Sequence, residues 1–156
     1  MKRVLLNLLF LFIFSSCTYN DDFHEIIQLR YGTSFGMCVG YCKNEMALKS
    51  GLITYKKEGW NESFQSVVCS ETLTNGTWNS IVEFNHLDAF FELPEVIGCP
   101  DCADGGAEWL EIELVNGEKH EVYFEYLREP DLLKKLLPKL RSEMHKTENC
   151  QGFKMK

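Results

Sequence analysis

The sequence predicts an α+β domain, in which two helices pack on one face of an antiparallel sheet of about five or six strands. Three observations support this fold class. Apolar and acidic residues alternate along residues 107–115, and apolar residues recur near helical spacing along residues 77–92. The order of the elements also lacks a regular β-α-β alternation, which favours antiparallel pairing.

Four short strands are expected in the first half of the chain. Their signals are apolar and β-branched runs between clusters of glycine, serine and asparagine. They lie at residues 25–30, 46–50, 52–56 and 64–68. A loop with several glycines over 32–40 separates the first two strands, Ser50-Gly51 joins the second and third, and a turn over 59–61 precedes the fourth.

A first helix is expected at residues 77–92, because its apolar residues fall near the 3.6-residue period. Residues 74–77 supply capping side chains at its start. Asn85 and His86 are expected to kink or divide it, and Pro94 ends it.

A hairpin and a final helix complete the predicted fold. Residues 107–115 and 119–126 form the two hairpin strands, and Asn116-Gly117 predicts a two-residue type I′ turn between them. Three residues of the first strand are expected to share the core face: Trp109, Ile112 and Leu114. The final helix begins at Pro130-Asp131, and Pro138 is expected to bend it. Its apolar face consists of Leu132, Leu133, Leu136, Leu137, Leu140 and Met144.

The N-terminus has the three parts of a bacterial export signal. Lys2 and Arg3 form a positive start, and residues 4–14 are apolar except for one asparagine. This apolar run is shorter than the roughly 20 residues that a membrane-spanning helix needs. Ser15-Ser16-Cys17 then resembles a lipobox, so we expect Cys17 to be the lipidated residue.

These signals divide the chain into four parts. We expect a signal peptide over 1–16, a tether over 17–24, a single α+β domain over 25–150 and a C-terminal tail over 151–156. Removing the signal leaves 14 Lys and Arg against 23 Asp and Glu, a net charge of −9. This acidity argues against nucleic acid as a partner and against peripheral binding to anionic lipid, since both favour basic patches.

The chain contains seven cysteines, of which Cys17 is assigned to lipid. The other six are disulfide candidates in an oxidising compartment: Cys38, Cys42, Cys69, Cys99, Cys102 and Cys150. In one extended strand, Cys38 and Cys42 would lie about 13 Å apart, so they can pair only if the chain turns between them. We expect at least two disulfides that involve the 38–42 and 99–102 segments, with Cys69 and Cys150 as the leftover pair.

Two motifs carry a family resemblance. Phe35-Gly36-Met37-Cys38-Val39-Gly40-Tyr41-Cys42 is the first, and Gly98-Cys99-Pro100-Asp101-Cys102-Ala103-Asp104-Gly105-Gly106-Ala107-Glu108-Trp109 is the second. With both, the chain resembles a family of uncharacterised bacterial lipoproteins, from about Ile26 to the last helix. In that family a strand leads to an F-G-x-C motif and then to a hairpin. The resemblance implies a location and a fold class but no activity.

The paired cysteines leave two chemical alternatives open. Cys99 and Cys102 form a C-x-x-C motif, which in redox enzymes lets one thiolate attack and its neighbour resolve. Here the motif lies in a loop before a strand, without the helix N-terminus that stabilises such a thiolate. Four thiolates could instead bind zinc tetrahedrally, and the set would be Cys38, Cys42, Cys99 and Cys102.

Other residue patterns have weaker implications. Acidic residues and glycines of the second motif suggest a calcium loop, although their spacing differs from that of an EF-hand: Asp101, Asp104, Gly105, Gly106 and Glu108. The histidines are scattered, with no pair at ligand spacing: His24, His86, His120 and His145. We expect the large aromatic residues to lie in the core: Trp60, Trp78, Trp109, Phe90 and Phe91.

The sequence therefore predicts a lipid-anchored protein of the bacterial cell envelope, at the periplasmic or surface face of the outer membrane. We expect a non-enzymatic domain that binds or supports a protein or a small molecule and needs no cofactor. Neither a serine-hydrolase signature nor a phosphate-loop signature occurs in the chain. The alternative is a thiol-redox or zinc protein that uses the four paired cysteines.

Overall fold

The structure is a computed structural model that describes residues 25–146. These residues form a mixed, mostly antiparallel sheet of seven strands together with three α-helices. In chain order the elements are β1 (Ile26–Ser34), β2 (Lys43–Lys49), β3 (Leu52–Glu58), β4 (Val67–Thr72), α1 (Asn75–Val82), α2 (Leu87–Phe91), β5 (Val96–Ile97), β6 (Ala107–Leu114), β7 (Lys119–Glu125) and α3 (Leu137–His145). The strand order across the sheet is β4-β3-β2-β1-β6-β7-β5, and the β5–β7 pair alone is parallel.

The structure has one strand more than the five or six expected. The additional strand is β5, whose two residues are too few to produce a periodic pattern. The expected loop over 32–40 is wrong at its start, because β1 continues through Ser34. The expected fourth strand also begins later, at Val67, and Phe64 lies in the preceding loop, where its carbonyl accepts a hydrogen bond from Gly59 N.

The first predicted helix is divided at the expected place. Helix α1 ends at Val82 and α2 begins at Leu87, with Asn85 and His86 between them. The Thr74 hydroxyl caps α1 by accepting a hydrogen bond from Thr77 N at 3.2 Å. The predicted bend at Pro138 is wrong, because this proline is the second residue of α3, where a proline needs no helical N–H partner. The predicted start of the final helix at Pro130-Asp131 is wrong too, because a separate 3₁₀ turn covers Asp131–Leu133 and α3 begins only at Leu137.

The predicted two-residue hairpin turn is also wrong. Leu114 N donates to Glu118 O and Gly117 N donates to Leu114 O, each at 2.9 Å, so the loop contains the three residues 115–117. Of these, Gly117 alone has a positive φ, of 85°. The arrangement is a tight turn followed by a glycine bulge, which is the next most common solution for a short hairpin.

The core lies between one face of the sheet and the helices. Leu29 on β1 is fully buried between Leu48 of β2 and Ile112 of β6, its partners in register. From the helices, Trp78, Ile81, Phe90, Leu137 and Leu140 pack on this same face. All the α-helices of the described residues therefore cover one face, as the sequence predicts.

One charged group lies inside this apolar layer. Glu108 on β6 is fully buried, and its carboxylate accepts hydrogen bonds from Arg141 Nε on α3 and from the Tyr31 hydroxyl on β1, both at 2.8 Å. Arg141 also pairs with Glu129 at 2.8 Å. Burial, followed by the Glu108 charge, raises the pKa of Tyr31. The network fixes the C-terminal helix to the middle of the sheet.

Candidate functional site

The face of the sheet opposite the helices carries a cavity of about 350 Å³, which we call the groove. Because side chains alternate along each strand, this face receives the residues that do not enter the core. Aromatic lining comes from Trp60, Trp109 and Tyr123. Charged lining comes from Arg30, Lys43, Lys56, Glu45, Glu58 and Glu121.

The floor of the groove is an aromatic pair on β6 and β7. Trp109 pairs with Tyr123 across the two strands, and their rings stack with centroids 6.1 Å apart. The indole of Trp109 extends over Gly32 of β1, where a Cβ atom would overlap the ring. Arg30 covers Trp109 from above, with its guanidinium carbon 5.3 Å from the ring centroid. Glycine at position 32 is therefore what allows the indole to lie flat on the sheet.

The other end of the groove is formed by Trp60, whose side chain is half exposed. Its indole N–H donates to the carbonyl of Phe35 at 2.8 Å, which fixes the ring. The Lys43 ammonium lies 3.9 Å from the ring centroid, a cation–π contact that contributes about 0.5–1 kcal/mol at an exposed site. Trp60 thus presents one ring in a defined orientation at the end of the groove.

Most charges in the groove are paired. Arg30 bonds Glu45 at 2.7 Å and reaches Glu111 at 3.4 Å, and Lys56 bonds Glu58 at 2.8 Å. The hydrogen bond from Lys56 lowers the pKa of the Glu58 carboxyl. These pairs place polar atoms at fixed positions along the groove.

Glu121 is the exception to this pairing. It lies directly opposite Glu111 in the β6–β7 register, so two carboxylates are neighbours on one face. Burial raises the pKa of Glu121, and the nearby Glu111 charge raises it further. Within residues 25–146, no ion pair or hydrogen bond engages the Glu121 side chain.

The predicted disulfides form within the two cysteine motifs. Cys38 and Cys42 are bonded, with their Cα atoms 5.6 Å apart, because the β1–β2 loop turns between them. Cys99 and Cys102 are also bonded, with a Cα separation of 5.4 Å. Cys69 is disulfide-bonded too. Cys17 and Cys150 lie outside the described residues, so lipidation of Cys17 and the pairing of Cys69 with Cys150 stay predictions.

The two cysteine loops contact each other at the end of the sheet next to Trp60. Gly36 N donates to Asp101 Oδ1 at 3.1 Å, and the Phe35 ring lies against Gly106, where a Cβ would overlap it. Gly106 has a φ of 80°, and Asp101 also has a positive φ, of 62°. The glycines of both motifs therefore permit close packing between the loops and support Phe35, the residue that holds Trp60.

Zinc and calcium are the two metal ions for which the sequence suggests a site. Among residues 25–146, no group of three or more His, Cys, Asp or Glu side chains is placed to hold a metal ion. Glu108 cannot join Asp101 and Asp104 in a calcium loop, because Arg141 and Tyr31 occupy its carboxylate inside the core. The zinc site needs all four motif cysteines as thiolates and stays a prediction.

Two residues of the groove, Trp60 and Trp109, were expected in the core. Trp60 is half exposed, so the core prediction for it is wrong. Trp109 is nearly buried but lies on the open face, because its parity along β6 is opposite to that of Ile112 and Leu114. Because side chains alternate along a strand, the residues that share a face with Ile112 include Leu110 and Glu108, and Trp109 lies on the other face. Trp78 and Phe90 do lie in the core, and Phe91 packs partly buried against it.

No protein-family model matches this chain, and a search of curated proteins finds no significant match. None of the helices within residues 25–146 is long and apolar enough to cross a membrane.

Proposed function

We propose that this protein is a lipid-anchored binding protein of the bacterial cell envelope, and that it holds its ligand in the groove on the open face of the sheet. The observation that carries the proposal is the groove itself. It combines a half-exposed indole with ordered charged side chains, which is the mixture of apolar contact and placed polar groups that binding sites use. The lipobox-like Ser15-Ser16-Cys17 supports the anchor.

The groove can bind without catalysing a reaction. Its Lys and Arg side chains contact carboxylates or aromatic rings. Such groups orient a ligand through hydrogen bonds, and the Trp60 ring supplies the apolar contact.

The cysteine loops have a supporting role in this proposal. The Cys38–Cys42 disulfide closes the β1–β2 loop directly after Phe35, and the Phe35 carbonyl accepts the Trp60 indole N–H. The loop around Cys99 and Cys102 packs on the other side of Phe35 through Gly106. Both disulfides therefore limit the motion of the residues that position Trp60.

The anchor is tested by Cys17→Ser in the full chain. Wild-type protein is expected to partition into detergent and to incorporate labelled fatty acid, and the variant is expected to do neither. A variant that stays in the membrane fraction as fully as wild type would show that the anchor assignment is wrong.

The groove is tested by titrating the full chain, purified in non-ionic detergent, with neutral oligosaccharides, acidic peptides and basic peptides. Calorimetry is expected to detect binding of at least one class. Trp60→Ala should weaken that binding, whereas Val115→Ala, at the exposed hairpin turn, should leave it unchanged. If no class binds, or if both variants bind like wild type, the groove is not the binding site.

One observation favours the thiol-redox alternative: Cys99 and Cys102 are both exposed. An exposed C-x-x-C disulfide is accessible to thiol exchange. Incubation of the full chain with a dithiol, followed by alkylation and mass spectrometry, tests it. Catalysed exchange that is lost in Cys99→Ser would favour this alternative over a structural disulfide.

A further inference from the structure

We propose that the ligand of the groove is a basic polypeptide segment, and that one of its lysine or arginine side chains lies between the Glu121 carboxylate and the Tyr123 ring. The inference rests on the proposed binding function and adds the chemistry of the partner. Its support comes from charge complementarity, from the aromatic neighbours of Glu121 and from the length of the groove.

The charges of the groove are unequal at its two ends. At the Tyr123 end, Glu111 and Glu121 lie directly opposite each other, and the cation beside them is Arg30. Arg30 is already occupied by Glu45 and Glu111, so the charge of Glu121 is left without a partner in the described part of the chain. A cation brought by a ligand would fill this position and relieve the repulsion between Glu111 and Glu121.

The residues beside Glu121 suit an ammonium or a guanidinium group. Tyr123 follows two positions later on the same face of β7 and stacks against Trp109. A cation next to a carboxylate and over an aromatic ring gains from both the charge and the ring quadrupole. Arg30 already lies over Trp109 in this way, so the same platform accepts a cation within the protein.

An acidic ligand would find fewer available partners in the groove, because the lysines at the Trp60 end already contact other side chains. At the Trp60 end, Lys56 is paired with Glu58, and Lys43 lies over the Trp60 ring directly opposite Glu58. Across the whole chain the net charge is −7, so the long-range field also attracts cations and repels anions.

The length of the groove favours a polypeptide over a small amine. Its lining residues come from β3, β2, β1, β6 and β7, which are consecutive strands of the sheet. Four inter-strand spacings of about 4.8 Å give a length of roughly 19 Å. An extended segment of about six residues has this length, and it could place a basic side chain at Glu121 while contacting Trp60.

The test compares hexalysine, hexaglutamate and hexaserine as probes. Each is titrated by calorimetry into the full chain in non-ionic detergent, at low salt. Two variants with the same change in net charge are compared: Glu121→Gln in the groove, and Glu92→Gln, an exposed residue that follows α2 on the helix-covered side. Thermal unfolding of both variants, monitored by circular dichroism, establishes that they are folded.

Hexalysine is expected to bind, Glu121→Gln to weaken it about tenfold, and Glu92→Gln to leave it within about twofold of wild type. Equal weakening by both variants would indicate diffuse attraction and overturn the proposal, as would no binding of hexalysine. Binding of hexaglutamate or hexaserine at least as tight as that of hexalysine, lost in Trp60→Ala, would also overturn it but leave the groove as the binding site. Failure of every probe and of the wider ligand panel would instead refute the proposed function.

Discussion

Replacing Arg141 by leucine removes the cation that balances the buried Glu108 carboxylate. In the native protein, Glu108 is fully buried, and it accepts hydrogen bonds from Arg141 and from the Tyr31 hydroxyl. In Arg141→Leu the Tyr31 bond alone remains, so a buried negative charge loses its counterion and two of its donors.

The expected cost is about 3–5 kcal/mol of unfolding free energy, which is the range for breaking one partner out of a buried pair. Tyr31→Phe removes one hydrogen bond to the same carboxylate and should cost less, about 1.5–3 kcal/mol. The matched control is Arg128→Leu. Arg128 is mostly exposed and pairs with Glu125 at 3.3 Å, so its loss should cost about 0–1 kcal/mol.

Urea unfolding at pH 7, followed by circular dichroism, measures these differences from the shift in midpoint at constant slope. The double variant Glu108→Leu/Arg141→Leu separates the stranded charge from lost packing. It should recover at least half of the loss, because no unpaired charge then remains in the core. The reasoning is refuted if Arg141→Leu costs no more than Arg128→Leu, or if the double variant is no more stable than Arg141→Leu.

Three further predictions concern the sheet and its turn. Gly32→Ala places a methyl group in the indole of the groove floor and should cost about 1–3 kcal/mol in urea unfolding. In Gly76→Ala in α1, the new methyl group meets only the Thr74 hydroxyl at an ordinary contact distance of 3.9 Å, so this control should be neutral or slightly stabilising. Equal effects of the two substitutions would contradict the packing. Gly117→Val imposes a positive φ on a β-branched residue and should lower stability by about 1–2 kcal/mol, and an unchanged midpoint would argue against the bulge. Burial raises the pKa of Tyr55 to about 12, so its stabilising contribution is complete below pH 10 and is lost as the pH rises from 10 to 12. Stability should fall over this window, and less steeply in Tyr55→Phe; an equal fall in both proteins would refute the assignment.

The sequence was sufficient to predict those elements whose signal comes from residues that are neighbours along the chain. Apolar and β-branched runs, with clear alternation over 107–115, indicated six of the seven strands, although the expected fourth strand overlaps β4 only at residues 67–68. Asn85-His86 marked the division between α1 and α2. The Cys38–Cys42 bond could be foreseen only as one of two outcomes, because it depended on a turn that Gly36 and Gly40 permit but do not require.

The groove could not be predicted, because it depends on pairing between distant strands. Gly32 indicated a loop when considered alone, yet it lies inside β1 because the Trp109 ring of another strand occupies the space above it. Likewise, Glu121 looks like an ordinary surface residue until the register places it opposite Glu111. The register of a hairpin is set by its turn, and the predicted two-residue turn differs from the three-residue loop that the structure shows between β6 and β7.

The direction of β1 has a consequence for the anchored protein that we propose. This strand begins at Ile26, directly after the tether, and ends at Ser34, beside the Cys38–Cys42 loop and Trp60. A nine-residue strand is about 30 Å long, and the eight residues over 17–24 add at most about 28 Å of reach. If the tether is extended and the strand stands perpendicular to the membrane, the groove would open above the lipid headgroups, and its ligand would be met in the aqueous space.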